Sequence, residues 1–457
     1  MRRRKKIFGV ALFSAIIGCC LLCIAGLRSR VHRSERIILI VADALRADHV
    51  GCYGAPGNPT PNIDALAERS IRFTDCYSVA PWTWPSAAAM MTGRYPSESL
   101  VFPHDSKFLG YLARRPRTLA GIMQDRGFTT AAFSASRAFA PTFGFGRGFS
   151  TFPDFRNDRD AVRAAARWVS KHRNRKFFAI LWLMSTHHPY HAADMPPSLR
   201  RQVSAARPCI RTGAIFGRHG LYSTAQITAH PRNDEEYSPA EIRLLHQMYE
   251  AGIHQVDRYI GHLLKATDGI PRTAILVTAD HGEEWLEHGD IGHKLKLYAV
   301  NLHVPLIVHA PGYAARIQTA PVTNLDLMPT ILALARIRPQ TDLPGLALCS
   351  QRSIPRDRII ISEVGVAGWR VHRCSAHDDS YLVIHTLTAP PREPVVPRGG
   401  RWEYVTHGGR RATSAPDLRR ALLAHESVAK RQVRATKSRP LDAKTKAELE
   451  ALGYIAK

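Results

Sequence analysis

The sequence predicts an α/β fold built on a large, mostly parallel sheet with helices on both faces. Two observations carry that reading. Short continuous apolar runs alternate with helical patterns, as expected of strands buried on both faces and linked by crossover helices. Three of these runs, RIILIVAD at 36–43, KFFAILWLM at 176–184 and TAILVTA at 273–279, are followed at once or within a few residues by Asp or His. In an open α/β sheet, ligands bind beyond the carboxyl ends of the strands.

Further strands are expected at 304–309 and 358–363. Helices are expected at 61–70, 85–92, 118–126, 158–172, 238–265, 325–335 and 443–452. The start at 238 is well marked: Ser238 serves as cap, Pro239 takes the first position and Glu241 stands three residues on. Residues 192–237, rich in Pro, Gly, Arg and His, read as an irregular excursion. Residues 388–416 read as the irregular edge of a smaller C-terminal region.

The chain has 457 residues, enough for a large core, and 45% of them are hydrophobic. That composition excludes global disorder, collagen and a polytopic membrane protein. The formal charge is 63 − 38 = +25, which favours anionic partners without specifying a fold. The basic runs lack interleaved aromatics and a recognisable module, so no nucleic-acid partner is expected.

Arg2 to Lys6 precede an uncharged apolar run at 7–27, about the length of a membrane span. The expected reading is a signal anchor with the N-terminus in the cytoplasm and the bulk of the chain exported. The alternative is a lipoprotein processed at Cys19. Of eight cysteines, three lie in that run and five are scattered without a CxxC pair, so neither a zinc ribbon nor a disulfide framework is expected. The expected division is 1–36 for tail, anchor and linker, 37–345 for the catalytic unit, and 346–457 for a C-terminal region with a terminal helix.

Asp43 ends the first strand, His187 follows the second, and Asp280 with His281 ends the third. An Asp after one strand is more often a helix cap than a ligand. Three strand exits carrying such residues point to one polar site. Cys76 is read as core, and Asp64 as holding a turn and a helix start. Trp82 and Trp84, either side of Thr83, are read as substrate wall or packing.

The stretch 38–96, which contains APWTWPSAAAMMTG, resembles the N-terminal signature of the sulfatase family of the alkaline phosphatase superfamily. The block 279–312, opening ADHGEEWLEHG and closing VPLIVHAPG, resembles its second signature. TNLDLMPTILALARI at 323–337 and LEALGYIA at 449–456 are similar to later segments. The resemblance implies an alkaline-phosphatase-like three-layer sandwich with a smaller C-terminal α+β region. It implies one divalent cation, Ca²⁺ or Mn²⁺ first and Mg²⁺ or Zn²⁺ as alternatives, held by Asp43, Thr83, Asp280 and His281. Thr83 would be the nucleophile, His187 and His293 the histidines at the substrate, and Lys294 a positive charge for the anionic ester. His288 is a weaker candidate.

Mixed oxygen and imidazole donors suit a divalent cation, and a coordinated hydroxyl becomes a nucleophile near neutral pH. Pro85 is expected at the first helical position, with the free N–H groups of that helix start facing an anion. The departures from the family also matter. Ala44 stands where many members have a second Asp. Thr83-Trp84-Pro85-Ser86-Ala87 replaces the Cys-x-Pro-Ser-Arg from which formylglycine is made. Leu183 and Met184, four residues before His187 and His188, exclude a second metal of the two-zinc type. The expected activity is hydrolysis of a sulfuric or phosphoric ester. The rivals are a phosphoethanolamine- or phosphoglycerol-type transferase, and a non-catalytic binding module on the same fold.

Overall fold

The computed structural model describes residues 34–101, 111–187, 190, 197, 198, 201, 239–289, 291–293, 295–338, 342–349, 353–365, 372–378, 380–388, 400–406 and 414–432. The anchor or lipoprotein segment, Lys294 and the expected helix at 443–452 lie outside them, as does nearly all of 192–237. Among the described residues, no helix is long and apolar enough to cross a membrane.

Seven strands form the main sheet: β1 (Arg36–Ala42), β2 (Ile71–Phe73), β3 (Thr129–Ser134), β4 (Phe177–Leu183), β5 (Thr273–Thr278), β6 (Leu306–His309) and β7 (Arg316–Gln318). Their order is β7-β2-β6-β5-β1-β4-β3. β1 sits between β4 and β5, parallel to both, with Arg36 level with Phe177 and Thr273. β6 runs antiparallel to β5 and β2, while β7 and β3 run parallel to their neighbours. Every residue of β1, β4 and β5 is buried, which accounts for their unbroken apolar runs.

Five helices matter for the site: α1 (Pro61–Ala67), α2 (Thr83–Thr92), α3 (Asp158–Lys171), α4 (Pro239–Thr267) and α5 (Pro416–Gln432). α3 and α4 pack on one another. Gly252 lets α4 close on the exit of β4, since a Cβ there would lie 2.1 Å from the Ser185 carbonyl oxygen. At the start of α3, the Asp158 carboxylate accepts the Met184 and Ser185 N–H groups at 2.7–2.9 Å, so the helix start fixes the loop after β4. Asp64 acts as expected, accepting the Cys52 N–H at 2.7 Å and the Thr60 hydroxyl at 3.0 Å. Cys76 is fully buried, also as expected.

Some elements were not expected. β2 and β7 have three residues each, too few for a periodic signal. β3 reads TTAAFS, with small and polar residues inside the core. In the expected C-terminal region, the strand expected at 358–363 forms as β8 (Ile360–Gly365), and with β9 (His372–His377), β10 (Tyr381–Thr388) and β11 (Arg401–Thr406), which were not expected, it makes a second sheet, an antiparallel ladder. β11 and the start of α5 fall where the sequence reads as irregular, because their Arg and Pro content hides the pattern.

β8 joins the second sheet to the segment that leads into α2. The Glu363 N–H donates to the Val79 carbonyl at 2.8 Å, and the Ser362 hydroxyl to the Ser78 carbonyl at 2.7 Å. Glu363 also accepts from the Ser97 N–H at 2.6 Å and pairs with His425 of α5 at 2.7 Å. Burial pushes the His425 imidazole down, but the Glu363 carboxylate beside it holds it above its ordinary value. Below them, buried Asp326 receives both Arg358 guanidinium N–H groups at 2.6 and 2.8 Å and the Leu346 and Thr323 N–H groups at 2.6 and 2.9 Å. Asp326→Ala would leave Arg358 and two backbone donors uncompensated, so a loss of about 3–5 kcal/mol in urea unfolding is expected. A loss near zero would show that the pair does not hold this junction.

Candidate functional site

β1, β5 and the start of α2 deliver their polar residues to one point at the carboxyl end of the sheet. Asp43 follows β1, Asp280 and His281 follow β5, and Thr83 opens α2. All four are buried, three of them with no exposed surface. The helix therefore begins at Thr83 with Trp82 as cap, and Pro85 occupies its third position rather than its first. The energetic reason is unchanged, since a first-turn residue has no intrahelical N–H bond to lose.

The Thr83 Oγ1 lies 3.4 Å from each Asp43 carboxylate oxygen and 3.3 Å from His281 Nε2. His281 Nε2 lies 3.4 Å from Asp43 Oδ1 and 3.3 Å from Asp280 Oδ2. These separations are long for charge-assisted hydrogen bonds, which fall at about 2.5–2.9 Å. They match ligands at right angles around a cation, since bonds of about 2.3–2.4 Å put neighbouring ligands roughly 3.3 Å apart. Asp280 Oδ2 is buried and has no hydrogen-bond partner. The donor set therefore fits a divalent cation.

The surrounding groups fix each donor. Trp182 Nε1 donates to Asp43 Oδ2 at 2.9 Å. The Ala44 and His281 N–H groups donate to Asp280 Oδ1 at 3.1 and 3.0 Å. Ala44 adopts φ 61°, a left-handed conformation that costs a non-glycine residue energy and here turns its N–H onto Asp280. His281 Nδ1 donates to the Gly282 carbonyl at 2.8 Å, which leaves the Nε2 lone pair facing the centre. A Cβ on Gly282 would lie 2.0 Å from the Val300 carbonyl oxygen, so this turn requires glycine.

Burial, then the charge of Asp280, pushes the Asp43 carboxyl well above its ordinary range. Burial pushes Asp280 up to about 7. Two carboxylates enclosed together are costly until a positive charge joins them.

Three imidazoles form a row leading away from this centre. The rings of His281 and His293 are 4.1 Å apart, and those of His293 and His187 are 4.8 Å apart. His293 Nδ1 lies 3.1 Å from Glu283 Oε1. Both histidines expected at the substrate are thus beside the site, while Lys294 lies outside the described residues. His288 is not part of it, for its ring stacks on Tyr298 at 3.6 Å. Trp84 is buried edge-on against Phe143, a packing role. Trp82 is half-buried against the second sheet.

Sequence reasoning missed Trp182, Glu283, Ser86 and Asn324. Ser86 donates to the Asp280 carbonyl at 2.6 Å and receives the Asn324 amide at 2.7 Å, so α2 is tied to the exit of β5. Trp182 reads as core because it lies inside an apolar strand. The Glu283-Glu284 doublet beside the Asp–His pair was the available signal.

The large, mostly parallel sheet with its helices is the fold of alkaline-phosphatase-like α/β proteins. The sulfatase family model matches residues 35–337, more than half of the chain, and the chain belongs to the sulfatase family. It is 26% identical over 336 residues to an ulvan-active sulfatase of Formosa agariphila, covering 68% of this chain and 63% of that relative. With a choline-sulfatase of Rhizobium meliloti it shares 23% identity over 426 residues, or 81% and 77% of the two chains. Among solved structures, a phosphonate monoester hydrolase from Silicibacter pomeroyi superposes with a TM-score of 0.63 at 19% identity, over 87% of this chain and 96% of that one. A sulfatase-type structure from Bacteroides thetaiotaomicron gives 0.63 at 18%, over 89% and 95%.

The raised Asp280 value sets a pH dependence. Its folded value lies above its ordinary 3.8, so the penalty is absent at low pH and grows as pH rises towards 7. Chelator-treated protein is expected to lose up to roughly 4 kcal/mol of stability through this group across that window. Asp280→Asn should remove that loss. Urea unfolding series with the same pH slope in both proteins would contradict the assignment.

Proposed function

We propose that this chain is a metal-dependent hydrolase of sulfuric, phosphoric or phosphonic esters with Thr83 as its covalent nucleophile. The carrying observation is the set of 3.3–3.4 Å separations from the Thr83 Oγ1 to Asp43 and His281, beside an Asp280 oxygen with no hydrogen-bond partner. A divalent cation bound by Asp43, Asp280, His281 and the Thr83 oxygen would lower the hydroxyl pKa and polarise the ester oxygens.

The residues then have these roles. Asp43, both of whose oxygens lie 3.4 Å from the Thr83 Oγ1, takes the proton as that oxygen attacks the sulfur or phosphorus. The bond to the alcohol oxygen breaks, and the departing oxygen takes a proton from His293, with His187 next in the row. Glu283 holds His293 Nδ1, which turns Nε2 away from it. Water then cleaves the Thr83 ester and gives its proton to His293, while the proton held on Asp43 returns to the Thr83 oxygen and restores the hydroxyl.

Threonine favours the phosphorus esters among these substrates. A formylglycine hydrate releases sulfate by elimination through its second hydroxyl. A threonine ester lacks that route and needs direct attack at the central atom, a familiar course for phosphoryl groups.

The test is a panel of aryl sulfate, phosphate monoester, phosphodiester and phosphonate monoester substrates, each with Ca²⁺, Mn²⁺, Mg²⁺ or Zn²⁺. Turnover is expected with a phosphodiester or phosphonate, and Thr83→Ala should lower kcat by about 10³-fold or more. Trp182→Phe should weaken metal affinity by about 10–100-fold while the nucleophile stays intact. A full panel without turnover and without metal uptake would support the binding-module reading instead.

A further inference from the structure

The end of the sheet opposite the site carries a concentration of exposed arginines. Arg126 lies just before β3, Arg173 and Arg175 before β4, and Arg272 before β5; all are exposed. Arg336 and Arg338, also exposed, follow the helix Leu327–Leu334. Backbone bonds hold these loops together. The Ser34 N–H donates to the Leu334 carbonyl at 3.0 Å, the Glu35 N–H to the Arg272 carbonyl at 3.0 Å, and the Thr129 N–H to the Lys176 carbonyl at 2.9 Å. Arg36 crosses beneath them, its Nε 2.7 Å from the Arg173 carbonyl and its Nη1 3.0 Å from the Pro271 carbonyl.

Among the described residues of these loops, the exposed carboxylates are Asp125, paired with Arg117, and Asp268. Glu35 is half-buried and pairs with Arg272 at 3.3 Å. The balance is thus strongly positive on one face. Ser34, where the chain enters the fold, lies at the centre of that face, and the uncharged apolar run at 7–27 ends seven residues earlier. Seven residues reach at most roughly 25 Å.

We propose that this arginine face rests on an anionic lipid bilayer, with the run at 7–27 embedded in it. The short link keeps the face within reach of the headgroups, where basic side chains are attracted to anionic lipid. The apolar run and the arginine face then act as two attachments, and two are needed to fix an orientation. β1 has seven residues and rises roughly 23 Å from the face to Asp43. The site therefore opens away from the bilayer, towards substrates in solution and not towards the headgroups of the same membrane. The inference is independent of the reaction, since it uses no residue of the site.

The test is hydrogen exchange on the full chain reconstituted in nanodiscs of phosphatidylcholine alone or with phosphatidylglycerol. Peptides covering 171–176 and 336–338 should exchange about tenfold more slowly with the anionic lipid at low salt, and the difference should vanish in high salt. The Arg173→Glu, Arg175→Glu, Arg336→Glu triple variant should lose the difference while its β1 and β5 peptides stay as protected as in the parent, which shows that it is folded. Should it fail to fold, the salt series on the parent still decides. Equal exchange in both lipids overturns the proposal. So does a chain that enters neither disc, or protection by soluble heparin without protection by phosphatidylglycerol, which would make the face a glycan site.

Discussion

Two carboxylates sealed from water at the end of one sheet are the constraint on which this site depends. Neither Asp43 nor Asp280 has any exposed surface, and a single imidazole lies between them. A protein interior does not tolerate that arrangement as a packing solution, because each charge lacks a counter-charge. The neighbouring bonds do not remedy it. Trp182 occupies Asp43 Oδ2 and the Ala44 and His281 N–H groups occupy Asp280 Oδ1, which leaves Asp43 Oδ1 and Asp280 Oδ2 each facing His281 Nε2. The local cost is met by the stability of the surrounding sheet, whose three central strands are buried throughout.

The same logic orders the histidines by distance from the centre. His281 is locked in one tautomer by its own chain turn at Gly282. His293 is oriented by Glu283 and lies one ring further out, and His187 lies beyond it. A group that binds a cation must be fixed and unprotonated, whereas a group that exchanges protons must be within reach of the substrate. The row provides both kinds of environment within two ring spacings.

Much of this was legible because strand exits are legible. Asp43, Asp280 and His281 stand directly after long apolar runs, and Thr83 sits in a segment with family resemblance. The central strands and α3 were found within a residue or two for the same reason. The rest was hidden by length or context. β2 and β7 are too short to show a period, and β3 is built of small residues whose burial comes from its neighbours. Trp182 could not be told from core, since its indole is apolar everywhere but at one nitrogen. Asn324 lies 238 positions from Ser86, and nothing local announces that the two meet.

That last contact belongs to a small lattice of hydroxyls. Asn324 reaches both Ser78 and Ser86, Ser86 reaches the Asp280 carbonyl, and Ser362 of the second sheet reaches the Ser78 carbonyl. The C-terminal sheet is therefore wired, through Ser78 and Ser86, whose hydroxyls lie 3.1 Å apart, to the backbone that aims a metal-ligand candidate. In evolutionary terms the two regions cannot be exchanged as separate cassettes. A chimera made by splicing in a foreign C-terminal half would have to bring its own partner for Ser78, or inherit a misaligned centre.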